Sequence, residues 1–109
     1  MKNILNKKLI ERYSRQIVLK NVGPSGQKKI IKSRVLVIGA GGLGCPVIDY
    51  LSRAGVGNIG VVDNDKVNIS NIHRQSLYNT KDIGKFKVNV LKKKIKLVNS
   101  QVKIKTFKK

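Results

Sequence analysis

A short aliphatic run leads directly into a glycine-rich segment, and this junction restricts the possible folds more than any other feature of the chain. Residues 35–38 read Val-Leu-Val-Ile, a composition typical of a strand buried on both faces. Residues 39–44 follow as Gly-Ala-Gly-Gly-Leu-Gly. Gly39, Gly41 and Gly44 allow a tight turn and a close backbone approach, and the N-terminus of a following helix offers free N–H groups. The junction therefore predicts a phosphate-binding turn.

The helix after this turn is predicted from the spacing of its apolar residues. Pro46 is tolerated in a first helical turn, and Gly55 is placed to end the helix. The side chains expected to face inward are Val47, Ile48, Leu51 and Ala54.

The rest of the pattern predicts an α/β fold with a Rossmann-like parallel sheet. A second strand over residues 59–62 ends at Asp63, and residues 67–80 form a polar loop. A helix over residues 85–98 turns apolar side chains inward, and residues 102–107 form a third strand. Strand-helix-strand-helix-strand with short returns gives right-handed parallel connections. Three such strands form half of a doubly wound sheet with an open edge, so we expect an incomplete domain.

Two short helices are predicted before the first strand. One covers residues 8–18, and the other is capped by Ser25 and continues to Ile31. We divide the chain into an N-terminal helical arm, residues 1–32, and a nucleotide-binding Rossmann-like half-domain, residues 33–109.

The formal net charge of +19 has two readings. In the first, the charge serves binding to a nucleic acid or another anionic partner, because lysines release counterions from phosphate. In the second, the charge reflects compositional drift, because the lysines are spread from Lys2 to Lys109 and accompany abundant Asn and Ile. We favour drift, because no nucleic-acid-reading motif accompanies the charge. The single Cys45 excludes an internal disulfide, and no run approaches the roughly 20 apolar residues of a membrane span. We expect a cytoplasmic protein without a membrane partner.

The glycine turn and Asp63 together fit more than one function. An acidic residue at the end of the second strand can accept hydrogen bonds from ribose hydroxyls, as in NAD-dependent dehydrogenases. The glycines could also serve only close packing of helix on strand, and Asp63 and Asp65 could merely stabilise the turn.

Further blocks move the interpretation away from a dehydrogenase. In chain order they are residues 12–17 (RYSRQI), 39–44 (GAGGLG), 53–58 (RAGVGN), 62–67 (VDNDKV), 70–75 (SNIHRQ) and 84–87 (GKFK). These blocks, in this order and spacing, resemble the adenylation domain of the MoeB, ThiF and HesA family, relatives of the ubiquitin-activating enzymes. The resemblance covers nearly the whole chain. It implies ATP-dependent adenylation of the C-terminal carboxylate of a ubiquitin-like sulfur-carrier protein, in molybdopterin or thiamin biosynthesis.

The resemblance also implies roles for individual residues. The residues expected to bind ATP are Gly39, Gly41, Gly42, Gly44, Asp63, Asp65, Ser70, Asn71, Arg74 and Lys87. Among them, Arg74 and Lys87 would stabilise charge on the phosphates during transfer. Arg15 would reach the ATP site of a second subunit, which implies a homodimer. The plain alternative for all three cations is a solvated surface position.

Two further residues are expected to have no catalytic role. His73 lies alone in a polar loop, and Cys45 is interpreted as a small packing residue.

Some of the family's groups have no counterpart in these residues. The aspartate that binds Mg²⁺, the paired cysteines that bind Zn²⁺ in a full-length form, and the sheet that docks the carrier would follow Lys109. We therefore predict no metal ligand in the chain and expect it to be inactive in adenylation by itself.

Overall fold

Three parallel strands form the centre of the structure, a computed structural model that describes residues 5–109. The helices are α1 (Lys7–Arg12), α2 (Ser14–Ile17), α3 (Gly23–Lys32), α4 (Gly44–Ala54) and α5 (Lys87–Val98). The strands are β1 (Arg34–Ile38), β2 (Asn58–Val62) and β3 (Lys103–Phe107). Two short 3₁₀ helices, Ile69–Asn71 and Thr80–Asp82, interrupt the loop between β2 and α5.

The strand order β1-β2-β3 with parallel pairing confirms the Rossmann-like α/β fold. In the register, Ile38 pairs with Val62 and Val62 pairs with Phe107. The carboxyl ends of all three strands therefore meet at one edge of the sheet. The glycine turn leaves this edge after β1, and Asp63 leaves it after β2.

The main core lies between one face of the sheet and helices α4 and α5. The fully or nearly buried side chains include Val37, Ile48, Ile59, Val61, Val88, Leu91, Ile95 and Ile104. Val47, which was predicted to face inward, is 46% exposed, so that prediction was wrong. Helix α4 instead packs through Cys45, Ile48 and Ser52, a set spaced by three and four residues.

The opposite face of the sheet is open in the part of the chain that the structure describes. Leu36 and Ile38 are 59% and 80% exposed. The prediction that this strand is buried on both faces was therefore wrong for residues 5–109, because both helices that pack on the sheet lie on the same side.

The helices before β1 differ in detail from the prediction. The single helix expected over residues 8–18 is interrupted at Tyr13, whose ψ of 15° separates α1 from α2. Helix α3 begins at Gly23 with Pro24 in its first turn, and no side chain caps it. Ser25 is thus inside the helix, because the fixed φ of proline suits the first turn and moves the start upstream.

Helices α1 and α2 pack on the chain's own body. Tyr13 is buried, and its hydroxyl accepts a hydrogen bond of 2.8 Å from Asn99 Nδ2. The Gln16 amide donates to the Ala54 carbonyl oxygen at 2.9 Å. The division into an arm and a half-domain stays a prediction, and residues 1–4 lie outside the described part. Within residues 5–109, no helix is long and apolar enough to cross a membrane.

Candidate functional site

The turn between β1 and α4 has a conformation that only glycine allows at two points. Gly39 has a φ of 101°, which other residues rarely adopt. A Cβ on Gly44 would collide with the backbone carbonyl of Gly39. These two glycines bring the start of α4 directly over the end of β1.

Four consecutive N–H groups of this turn are left without partners. Among the described residues, Gly41, Gly42, Leu43 and Gly44 donate no backbone or side-chain hydrogen bond. Leu43 is the N-cap of α4 and supplies no side-chain cap. Helix N-termini carry partial positive charge, so free amides here are chemically suited to an anion.

Ala40, at the centre of the turn, is held from both sides. Its N–H donates to Asp63 Oδ2 at 2.8 Å, and its carbonyl oxygen accepts a hydrogen bond of 2.8 Å from the Tyr78 hydroxyl. Burial raises the pKa of Tyr78, so the phenol stays protonated and remains a donor. Asp63 Oδ1 also accepts the Asp65 N–H at 2.7 Å. Asp63 therefore shapes the turn, and its lone pairs not used by these two amides can accept ribose hydroxyls.

The segment before Tyr78 brings a cation to the glycines. The side chain of Arg74 lies against Gly42, with Nε 3.6 Å from where a Gly42 Cβ would be. Arg74 Nη1 donates to the Ser70 carbonyl oxygen at 3.3 Å, and the Arg74 N–H donates to the Asn71 carbonyl oxygen at 3.1 Å. Ser70 is exposed and Asn71 is half-buried. The guanidinium is thus directed by its own loop towards the free amides.

Lys87 is a buried lysine without an acidic partner. It is 5% exposed, and the two ion pairs in residues 5–109 are Arg53–Asp49 and Lys94–Asp82. Its N–H donates to the Asp65 carbonyl oxygen at 3.0 Å, so the first turn of α5 lies beside the end of β2. A buried charge that lacks a counter-ion is costly, and such a lysine is a candidate for binding an anion.

The burial of Cys45 and the exposure of His73 agree with the positions predicted for them. Cys45 is fully buried, and burial raises the pKa of its thiol, with the nearby Lys87 charge opposing this only weakly. His73 is exposed. A protonated, buried thiol is a packing group rather than a nucleophile.

Arg15 does not join the site within one chain. It is exposed on α2, next to Gln16, which is anchored at Ala54. Ala54 ends α4, and the glycine turn lies at the other end of this 11-residue helix. An α-helix rises 1.5 Å per residue, so the two ends are about 16 Å apart.

No group of three or more His, Cys, Asp or Glu side chains that could hold a metal ion occurs within residues 5–109.

Sequence reasoning missed Tyr78 and gave no role to Gln75. Gln75 is 2% exposed, and its amide nitrogen lies 3.6 Å from where a Gly41 Cβ would be. Its position directly after Arg74 in the quoted 70–75 block was the available signal. For Tyr78 there was none, because its partner Ala40 is 38 residues away.

The fold and the glycine turn define an α/β domain of the Rossmann-like class. The chain belongs to the ThiF family, whose model matches residues 13–109. This confirms the resemblance inferred from the sequence blocks.

Several known proteins are similar to this chain. It is 46% identical over 101 residues to the sulfur carrier protein adenylyltransferase of Thermus thermophilus, covering 93% of this chain and 37% of that protein. It is 46% identical over 97 residues to a probable molybdopterin-synthase adenylyltransferase of Gracilaria tenuistipitata, covering 89% and 27%. The structure of E. coli MccB with ATP superposes with a TM-score of 0.82 at 31% identity, covering 90% and 30%. The chain therefore spans roughly a third of the length of these relatives.

Proposed function

We propose that this chain supplies the ATP cradle for adenylation of the C-terminal carboxylate of a ubiquitin-like sulfur-carrier protein. The observation that carries the proposal is the presence at the N-terminal end of α4 of four free amides, the Arg74 side chain and Lys87, whose charge acts on Cys45 in the first turn of the helix. Two relatives are named as adenylyltransferases, one of a sulfur carrier protein, and MccB was solved with ATP.

The reaction explains the residue types. A carboxylate oxygen of the carrier attacks the α-phosphorus of ATP, the bond from that phosphorus to the bridging oxygen breaks, and pyrophosphate leaves. Negative charge grows on the leaving oxygens, and fixed donors and cations stabilise it. The amides of residues 42–44 would hold the phosphates, Arg74 and Lys87 would stabilise the developing charge, and Asp63 would accept the ribose hydroxyls.

The surrounding residues are assigned lesser roles in the same proposal. Gly39 and Gly44 shape the turn, Asp65 supports the first turn of α5 through its carbonyl, and Ser70 and Asn71 orient Arg74. Mg²⁺ entering with ATP would neutralise part of the phosphate charge. We further propose a cytoplasmic homodimer with Arg15 donated to the second subunit, Zn²⁺ only in a longer form, and a molybdopterin or thiamin pathway.

Nucleotide competition tests the proposal directly. ATP should displace a fluorescent ATP analogue from the protein, and NAD at equal concentration should not. Displacement by NAD but not by ATP would favour a dehydrogenase domain instead.

Substitution of two different lysines of α5, one buried and one exposed, makes this test more specific. Lys87→Met should weaken ATP binding by about tenfold or more, because a charge-assisted hydrogen bond contributes about 1.5–3 kcal/mol. Lys92→Met removes an exposed lysine of the same helix and should change the affinity less than about twofold. Equal losses in both variants would mean that ATP responds only to overall charge.

A further inference from the structure

Gln75 holds a buried polar atom that lacks a hydrogen-bond partner. The side chain is 2% exposed, and its Oε1 is the one buried side-chain acceptor or donor in residues 5–109 found unpaired. Leaving a buried amide oxygen unsatisfied destabilises a protein, and the great majority of such atoms are paired. An exception beside the glycine turn points to a partner that the oxygen gains when the ligand binds.

The backbone of Gln75 is held by hydrogen bonds on both sides. Its N–H donates to the Asn71 carbonyl oxygen at 2.9 Å, and its carbonyl oxygen accepts from the Tyr78 N–H at 3.1 Å. Tyr78 is itself tied to Ala40 of the glycine turn. The buried carboxamide lies against Gly41, and its nitrogen is its polar atom nearest to where a Gly41 Cβ would be, at 3.6 Å.

Gly41 has a backbone N–H that could pair with this oxygen. Its N–H is among the four turn amides that donate no hydrogen bond in the described residues. An unpaired acceptor and an unpaired donor thus lie on neighbouring residues of two segments that pack together. Rotation of the carboxamide about its last bond would exchange the places of its nitrogen and oxygen and turn the oxygen towards Gly41.

We propose that Gln75 is a positioning residue of the glycine turn, whose buried oxygen accepts the Gly41 N–H when ATP draws the turn into its bound conformation. This rests on the proposed ATP site. The hydrogen bond would fix the turn so that the amides of Gly42, Leu43 and Gly44 point together at the phosphates. Gln75 touches neither substrate nor phosphate and acts through Gly41.

A comparison of two buried glutamines tests the idea. Gln27 is fully buried like Gln75, but its Nε2 donates to the Ala54 carbonyl oxygen at 3.1 Å and its Oε1 accepts from Gln16 at 2.7 Å. Methionine matches the length of glutamine and removes both polar atoms. Gln75→Met should raise the melting temperature of the nucleotide-free protein by about 4 °C or more, because it removes an unsatisfied group. Gln27→Met should lower it.

ATP affinity should change in the opposite sense. Gln75→Met should weaken ATP binding about fivefold, the effect of one neutral hydrogen bond, although the variant is more stable. Gln27→Met, at the far end of α4, should bind ATP as the unchanged protein does. A Gln75→Met variant that melts lower, fails to fold, or binds ATP normally would overturn the proposal, because each result indicates packing alone.

Hydrogen exchange of the Gly41 amide provides a second, independent measurement. Saturating ATP should protect the Gly41 N–H from hydrogen exchange, and Gln75→Met should abolish that protection. Rapid exchange of Gly41 in the ATP-saturated, unchanged protein would also overturn the proposal. If the unchanged protein does not bind ATP at all, the proposed function fails first, and the two failures are thereby distinguished.

Discussion

The Tyr78 hydroxyl donates a 2.8 Å hydrogen bond to the carbonyl oxygen of Ala40, joining the loop after β2 to the centre of the glycine turn. Asp63 binds the N–H of the same alanine. The peptide groups on both sides of Ala40 are therefore oriented by side chains from elsewhere in the chain. This arrangement fixes which amides remain free for an anion.

Substitution of Arg74 should weaken ATP binding without reducing the stability of the fold. The side chain is exposed, so Arg74→Ala should leave the melting temperature nearly unchanged while ATP binds about tenfold more weakly or worse. Arg53→Ala is the matched control, because Arg53 pairs with Asp49 near the other end of α4. Calorimetric titration of both variants measures the difference. Equal ATP affinity in Arg74→Ala and the unchanged protein would remove Arg74 from the site.

Two glycines of the turn should respond differently to the same substitution. A Cβ on Gly42 would meet Arg74 atoms at 3.6 Å, an ordinary contact, so Gly42→Ala should fold normally. The added methyl would stand where phosphate approaches, and ATP affinity should fall about tenfold. Gly44→Ala should instead prevent folding or reduce its stability severely, because its Cβ would strike the Gly39 carbonyl. Thermal melts measure the effect of each substitution on stability, and ATP titrations measure its effect on affinity. A normal melt for Gly44→Ala would contradict the turn geometry.

Asp82 predicts a pH dependence of stability. Burial acts to raise the pKa of this carboxyl, but hydrogen bonds from Lys94 and the Asn79 N–H, with the Lys94 and Lys85 charges, outweigh it, so the pKa is lowered. A carboxylate with a lowered folded-state pKa stabilises the fold above its unfolded pKa of about 4. That contribution is lost as the pH falls through the folded value.

The measurement is urea denaturation of Asp82→Asn at several pH values. At pH 7 the free energy of unfolding should fall by about 1–2 kcal/mol, since the charged group is hydrogen-bonded and largely buried. The difference from the unchanged protein should disappear in strong acid. Asp49→Asn, which breaks the more exposed pair with Arg53, should change stability by less than about 0.5 kcal/mol. If the difference in the free energy of unfolding between Asp82→Asn and the unchanged protein is the same in acid as at pH 7, the Asp82 charge is not responsible for it.

Arg15 should affect ATP binding only between subunits. Because its neighbour Gln16 is anchored at the end of α4 opposite the glycine turn, Arg15→Ala should bind ATP normally at concentrations where the protein is monomeric. If dimers form on concentration, the unchanged protein should gain affinity and the variant should not. Mixing Arg15→Ala with Asp63→Ala should restore one complete site per heterodimer. No restoration, despite demonstrated subunit exchange, would indicate that Arg15 faces solvent.

Local sequence signals were sufficient where one residue's own properties decide the structure. Gly55 was predicted to end α4, and it does so in the left-handed conformation with a φ of 97°. The helix start near Ser25 was misjudged because Pro24 and a serine compete as start signals over two residues. Val47 was misjudged because apolar character alone does not say which face of a helix meets the sheet.

By itself the sequence determined the strand, glycine turn and helix, the parallel order of the elements, and the family to which the chain belongs. These features depend on side-chain periodicity and on the conformational freedom of glycine, which act over a few residues. Only the tertiary structure decided that Tyr78 and Asp63 orient Ala40, that Lys87 is buried without an acidic partner, and that Gln75 faces Gly41 with its oxygen unpaired. Those contacts join residues 23 to 38 positions apart or bury a charge. Local preferences do not predict them, because they arise only when distant segments pack together.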